Sequence, residues 1–265
     1  MKVGYYQFSP EFGKPLQNLE RIHKALSGVS ADIIVLPELA LTGYYFENRQ
    51  ELLSLAEDVS ESSTVESLAT LCGDNDVYLV TGFAEKESDK LYNSALLIGP
   101  DGVIHTYRKL HLFNTEKEYF DPGDTPLQPI EVRGARVGLM ICFDWVFPEV
   151  ARILALKGAD LLCHPSNLVL TYCQEAMRTR CLENGVFAVT ANRNGMDVRP
   201  RGKLVFTGQS QIMSPKGELI ACSDARSEGL VVREIDIHSA RDKRLTDNND
   251  LFKDRRPDYY GVLVD

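Results

Sequence analysis

Glu38, Lys109 and Cys142 stand at the ends of three apolar runs far apart in the chain. A carboxylate, an ammonium and a thiol are the parts needed for covalent attack on a carbonyl-like carbon. They supply a base, a stabiliser for the developing charge and a nucleophile. Cys142 ends the run Val137-Gly138-Leu139-Met140-Ile141 in GLMICFDWVFPEVAR. A free cysteine at such a place often serves as a small buried hydrophobe. A strand turning into a helix, however, can lift a side chain to the sheet edge, as the nucleophile elbow of hydrolases does. The free N–H groups of the turn that follows favour thiolate over thiol and can bind an oxyanion. Glu38 lies in VLPELALTGY, after the run DIIVL and Pro37, with no polar neighbour in sequence to solvate it. Lys109, in YRKLHLF, closes the second strand of a hairpin.

These three ends need strands to carry them. Short apolar or alternating runs predict strands at 2–8, 32–36, 77–83, 91–98, 103–108, 136–141, 160–163, 186–191, 205–213, 218–221 and 229–235. The turn Gly99-Pro100-Asp101-Gly102 makes 91–108 a hairpin. Helical spacing puts Leu16, Leu19, Ile22 and Leu26 on one face of a helix opened by Pro15. Further helices are expected at about 48–57, 62–75, 172–184 and 238–244. One more runs from the Cys142 turn to about 157, with Val146, Val150, Ile153 and Leu154 inward and Gly158 closing it. Residues 114–128 are polar and irregular, punctuated by Asp121-Pro122-Gly123-Asp124. Helices and strands alternate throughout without repeat or linker, so an α/β layer structure with mixed sheets and helices on both outer faces is expected over 1–265.

The chain has 265 residues, 44% of them apolar, enough for a large core, and a net charge of −9. That charge argues against a nucleic-acid partner. The first ten residues lack a signal-peptide core and no apolar run reaches membrane-spanning length, so no membrane partner and a cytoplasmic location are expected. The six cysteines have neither disulfide-framework nor zinc-ligand spacing, and reduced thiols without a metal are expected.

The motifs PELALTGY, YRKLHLF, GLMICFDWVFPEVAR, HPSN at 164–167, R-x-x-E-N at 180–184 and RDKR at 241–244 together resemble the nitrilase superfamily of carbon–nitrogen hydrolases. The likeness covers essentially the whole chain. It implies a four-layer α-β-β-α sandwich that dimerises into an extended sandwich, with the tail from about 236 packing on the partner subunit. It implies a catalytic triad of Glu38, Lys109 and Cys142, joined by a second glutamate: Glu116 fits better than Glu118. In that scheme Cys142 forms a thioester or thioimidate, Glu38 takes the thiol proton and later activates water, and Lys109 with the Phe143 N–H holds the oxyanion. Glu116 orients the substrate nitrogen or holds Lys109, and no cofactor is needed. Phe113, Phe143, Trp145 and Asn167 are candidate substrate contacts, and Trp145 serves equally well as core. His111 could point with Lys109 if that strand continues, and Arg199 or Arg201 could attract a carboxylate-bearing substrate. Cys142-Phe143-Asp144 resembles the amidase and carbamoylase branches more than typical nitrilases. The expected activity is hydrolysis of a small linear amide to a carboxylic acid and ammonia or an amine. Small aliphatic nitriles and N-carbamoyl amides are the alternatives, and a non-catalytic scaffold on the same fold is the distant one.

Overall fold

The computed structural model describes residues 1–264. In chain order, β1 (Lys2–Gln7), α1 (Pro15–Leu26), β2 (Ile33–Val35), α2 (Arg49–Leu53), α3 (Ser63–Asn75), β3 (Tyr78–Glu87), β4 (Lys90–Gly99) and β5 (Gly102–Arg108) form the first half. Next come β6 (Ile130–Val132), β7 (Ala135–Leu139), α4 (Pro148–Leu156), β8 (Leu161–Ser166), α5 (Cys173–Asn184) and β9 (Phe187–Asn192). The hairpin β10 (Met196–Arg199) and β11 (Gly202–Val205) precedes β12 (Gln211–Met213), β13 (Leu219–Cys222) and β14 (Gly229–Glu234).

Two six-stranded sheets result, ordered β14-β1-β2-β3-β4-β5 and β13-β12-β9-β8-β7-β6. Each has a parallel trio at its centre, β1-β2-β3 and β7-β8-β9, and antiparallel strands outside it. The architecture is the mixed α/β arrangement expected. Side-chain alternation builds the layers. Ile33 and Val35 pack with Val137, Leu139, Leu161 and Val189 between the sheets. Ile34 points the other way, into the layer formed with Ile22 and Leu26 of α1 and Leu68 of α3. At about 25 cal/mol per Å2 each such buried aliphatic side chain contributes roughly 2 kcal/mol, so both faces of the sheets are held by the same force.

Several boundaries differ from the sequence reading. Leu16 is 71% exposed while Asn18 is buried, because Asn18 exchanges hydrogen bonds with the Glu11 backbone and donates to the Leu41 carbonyl. A buried amide with all its bonds made displaces the apolar residue from that face. The run 205–213 is not one strand: 196–205 folds into the β10–β11 hairpin, and pairing resumes only at Gln211. Gln209 and Gly208 take positive φ between them and break the extended chain. The 48–57 helix shrinks to Arg49–Leu53, and 237–241 is a 3-10 turn rather than the start of a helix to 244.

The junction after β7 differs most. The strand stops at Leu139, and Cys142–Val146 is a 3-10 turn, with α4 starting afresh at Pro148. Phe147 sits at φ −94°, ψ 101°, the extended conformation that a following proline's ring imposes. Cys142 therefore does not head an α-helix. Val146 lies in the turn, and Ile153 of α4 is 38% exposed instead of inward. The inward face of α4 is Val150, Ala151, Leu154 and Ala155.

The start of the C-terminal segment folds back on the chain. Arg241 pairs with Asp160 at 3.0 Å, and the Lys243 ammonium donates to the carbonyls of Asn184 and Gly185 at the end of α5. Those carbonyls have no partner within the helix, so Lys243 satisfies them.

Candidate active site

Glu38, Lys109 and Cys142 each follow a strand of the two six-stranded sheets. Glu38 lies just past β2, held against β3 by hydrogen bonds from Leu36 N to Val80 O, Gly82 N to Pro37 O and Ala40 N to Gly82 O. The fit requires Gly82: a Cβ there would stand 2.2 Å from Leu39 N and 2.4 Å from Glu38 Cα. Leu39 takes φ 50°, an uncommon conformation for a branched residue that turns the chain at this point. Lys109 comes immediately after β5, its N–H bonded to the Asn93 carbonyl and its own carbonyl to Gly123 N. Gly123 is the glycine of Asp121-Pro122-Gly123-Asp124, and a Cβ on it would meet Arg108 O at 2.1 Å. Glu116 lies in a 3-10 turn, Asn114–Glu118.

The acid and base groups converge. Lys109 Nζ donates to Glu38 Oε1 at 2.6 Å and to Glu116 Oε1 at 2.8 Å, and none of the three side chains is exposed. Tyr44 OH also donates to Glu116 Oε1, at 2.6 Å, and Phe113 N donates to Glu116 Oε2 at 3.1 Å. Both oxygens of Glu116 are thus engaged. Glu38 differs. Its Oε1 takes Lys109 and the Asn93 amide at 2.7 Å, while Oε2 has no partner among the described residues.

Burial opposes the Lys109 ammonium, but the Glu116 and Glu38 carboxylates outweigh it and hold the group charged well above its ordinary range. Burial raises the Glu116 carboxyl despite the Lys109 charge, with Glu38 adding to the rise.

Cys142 is 6% exposed and has φ 38°, strained for a residue with a side chain. Burial pushes its thiol well above the usual range, the Glu38 charge adds to this, and Lys109 opposes it. The thiolate expected from a helix N-terminus is therefore not found. No α-helix begins at Cys142, and two nearby carboxylates disfavour the anion. The resting group is a thiol that must give up its proton to react.

Two side chains hold the strained turn. Asp144 accepts from Ile141 N at 2.9 Å, Tyr107 OH at 2.8 Å and His111 Nδ1 at 2.8 Å. His111 stacks on Phe147 and does not follow Lys109, because β5 ends at Arg108. His164 Nε2 donates to the Cys142 carbonyl at 2.9 Å, which fixes the tautomer, and Nδ1 accepts from Thr190 Oγ1 at 3.1 Å. Burial lowers the His164 pKa from 6.5 to about 4. The unfolded chain binds this proton below pH 6.5 and the folded one only below about 4, so stability drains as pH falls through that window. The loss approaches about 3 kcal/mol. His164→Asn should flatten the dependence of Tm on pH between 6.5 and 4 by about one proton; an unchanged slope would contradict the neutral buried imidazole.

Beside Cys142 lies a cavity of about 10 Å3, lined by Phe113, Phe143, Trp145, Asn167 and Leu168–Leu170, room for about one water. All four candidate substrate contacts thus border Cys142. Trp145 also belongs to the core, packed edge-on to Tyr172. Asn167 Nδ2 donates to the Glu38 carbonyl at 2.8 Å, and its Oδ1 has no partner among the described residues. Arg199 and Arg201 do not reach the cavity: Arg199 pairs with Glu47 and Glu51, and Arg201 with Glu118 at 2.6 Å. Glu118 is thereby separated from the Lys109 cluster. A larger groove, about 1200 Å3, opens between α3 and the end of the β4–β5 hairpin, but none of Glu38, Lys109, Glu116 and Cys142 lines it.

Asn93 and Tyr44 were not singled out from sequence. Asn93 left a trace, a polar residue inside the otherwise apolar strand LYNSALLI. Tyr44 left only its place six residues after Glu38.

Two mixed sheets of an α-β-β-α arrangement carry a buried carboxylate–ammonium–carboxylate cluster beside a thiol. The chain belongs to the carbon–nitrogen hydrolase family, whose model matches residues 2–245. It is 47% identical to a nitrilase of Pyrococcus abyssi, over 98% of this chain and 99% of that one. It is 34% identical to an (R)-stereoselective amidase of a Pseudomonas species, over 97% and 92%. The solved structure of an amidase from a Nesterenkonia species superposes with a TM-score of 0.84 at 25% identity, covering 99% of this chain and 96% of that one. In another structure of that amidase, the acetamide moiety of fluoroacetamide is covalently attached to the active-site cysteine.

Proposed function

We propose that the protein hydrolyses a small, neutral, linear amide through a thioester on Cys142. The carrying observation is that Lys109, Glu38 and Glu116 are locked together without solvent while their charges act on the Cys142 thiol. Glu38 Oε2 accepts the thiol proton as Sγ attacks the carbonyl carbon. The carbonyl oxygen becomes an oxyanion held by the Lys109 ammonium and the Phe143 N–H. Glu38 then returns the proton to the nitrogen, which leaves as ammonia or an amine. Water, deprotonated by Glu38, attacks the thioester and releases the acid, and the proton restores the thiol. Glu116, with both oxygens bonded, holds Lys109 in place. The adduct on the Nesterenkonia cysteine supports the covalent route by analogy.

The chemistry of the cavity's lining supports the substrate class. Its walls are Phe113, Phe143, Trp145, Asn167 and Leu168–Leu170, none of them charged, and Arg199 and Arg201 are paired elsewhere. A charged acyl group would lose its hydration there without finding a partner. A second reading, hydrolysis of a small nitrile, is favoured by the Pyrococcus abyssi relative. Asp144, which distinguishes the Cys-Phe-Asp signature, ties the turn and does not line the cavity, so it cannot choose between them by contact.

Ammonia release from acetamide, propionamide and the matching nitriles tests this. Amides should turn over faster; faster nitriles would favour the second reading, and release from neither would reject both. Iodoacetamide labelling followed by mass spectrometry should mark Cys142 and the exposed Cys222 while the other four cysteines, all buried, stay unmarked. Only the Cys142 rate should fall in Glu38→Gln.

We also read the protein as a cytoplasmic homodimer. No described helix is long and apolar enough to cross a membrane. Ile153 and Leu156 of α4, Leu182 of α5 and Tyr259, Val262 and Leu263 of the tail leave apolar surface exposed, which a second copy would cover.

A further inference from the structure

We propose that Asn93 is a positioning residue for the hydrolytic base: its amide fixes Glu38 Oε1 so that Oε2 alone faces the reacting thiol. The inference rests on Glu38 being that base. A carboxylate bonded through one oxygen can swing about its last torsion, and its two oxygens are then interchangeable. Here Oε1 is held from two directions, by Lys109 Nζ at 2.6 Å and by Asn93 Nδ2 at 2.7 Å. Lys109 cannot do this alone, because its ammonium is shared with Glu116 and has to turn towards an oxyanion during the reaction. The neutral Asn93 donor makes no such move. It holds Glu38 while Lys109 works.

Asn93 is 1% exposed, on the antiparallel β3–β4 pair, opposite Ala84 in register. Its backbone carbonyl accepts from Lys109 N at 2.8 Å, so one residue sets the place of both the base and the ammonium. Its own Oδ1 has no partner among the described residues. A buried amide left with an unmet acceptor costs free energy, and an apolar residue of similar size would avoid that cost. The side chain is therefore not explained by packing. What it supplies is one N–H, aimed at the oxygen that must not take the proton.

The test is a double-mutant cycle on Glu38 and Asn93, read as kcat and KM for a short amide and as the rate constant for Cys142 alkylation by iodoacetamide. Asn93→Ala should lower kcat by about 10- to 100-fold, the range for losing one hydrogen bond to a charged group, with KM nearly unchanged. Alkylation should slow in parallel. In the Glu38→Gln background the same substitution should change alkylation by less than about twofold, because the group it positions is gone. A merely structural role would slow both backgrounds equally, and that result overturns the proposal. Asn93→Leu keeps the side chain's size while removing the donor, and carries the same expectation if the alanine variant does not fold. Should Glu38→Gln turn over like the wild type, the base assignment itself fails. Should Glu38→Gln be inactive while both Asn93 variants keep wild-type kcat, only the present inference fails.

Discussion

Cys142→Ala is expected to abolish ammonia release, by on the order of 10^4-fold or more, while the protein stays folded. The expected loss is large because in the proposed route the sulfur is the atom that forms the bond to substrate; without it, water would have to attack an unactivated amide directly. The fold should hold because the surrounding cluster does not depend on the thiol. Lys109 holds Glu38 at 2.6 Å and Glu116 at 2.8 Å through contacts that do not include Sγ. The Cys142 backbone remains tied through its carbonyl to His164. Removing one sulfur enlarges an already small cavity slightly, a cost of about 1 kcal/mol. Ammonia assays and thermal melts on the same preparation decide the matter. A residual rate within a factor of ten of wild type would show that the reaction does not pass through this sulfur, and the thioester route would be lost.

Gly82→Ala is expected to remove activity by a different path, through the backbone. The added methyl carbon would lie 2.2 Å from Leu39 N, 2.4 Å from Glu38 Cα and 2.6 Å from Glu38 C. All three are main-chain atoms, so no rotamer change relieves the overlap. Either β3 or the Glu38 turn must shift, and the turn is bonded to Gly82 on both sides. A destabilisation of about 4 kcal/mol or more follows, which for a chain of this length lowers Tm by roughly 10 °C. In the fraction that folds, Glu38 is pushed off its position, and a displacement of about 1 Å at a reacting group is enough to cost about 100-fold in rate. A variant with wild-type Tm and kcat would show that β3 and the Glu38 turn are not in the contact described.

The two glycines that seat the reactive residues show how unevenly the sequence discloses its structure. Gly123 was visible as turn punctuation, and Gly82 was not, since a glycine inside a strand pattern does not reveal which backbone approaches it. Tyr44 and Asn93 were hidden for the same reason. Their significance depends on which carboxylate oxygen they meet. The strand-to-turn junction at Cys142 was foreseen in place but not in kind. Phe147-Pro148 carried the signal for a break before the helix, and proline's effect on the preceding residue decided it. Cys142 stays a thiol, contrary to the local dipole expectation, because it is buried and two carboxylates arrive from β2 and from beyond β5.

What the sequence determined by itself was the alternation of strands and helices, and the presence of an acid, an amine and a thiol at three strand ends. Those follow from periodicity, turn chemistry and residue type, all of which are local. Only the tertiary structure decided which oxygen of Glu38 is left open, that Glu116 and not Glu118 meets Lys109, and that Arg199 and Arg201 are spent on other partners. Charge and hydrogen-bond pairing depend on distances of a few ångströms between segments far apart in the chain, and those distances arise only when the two sheets pack.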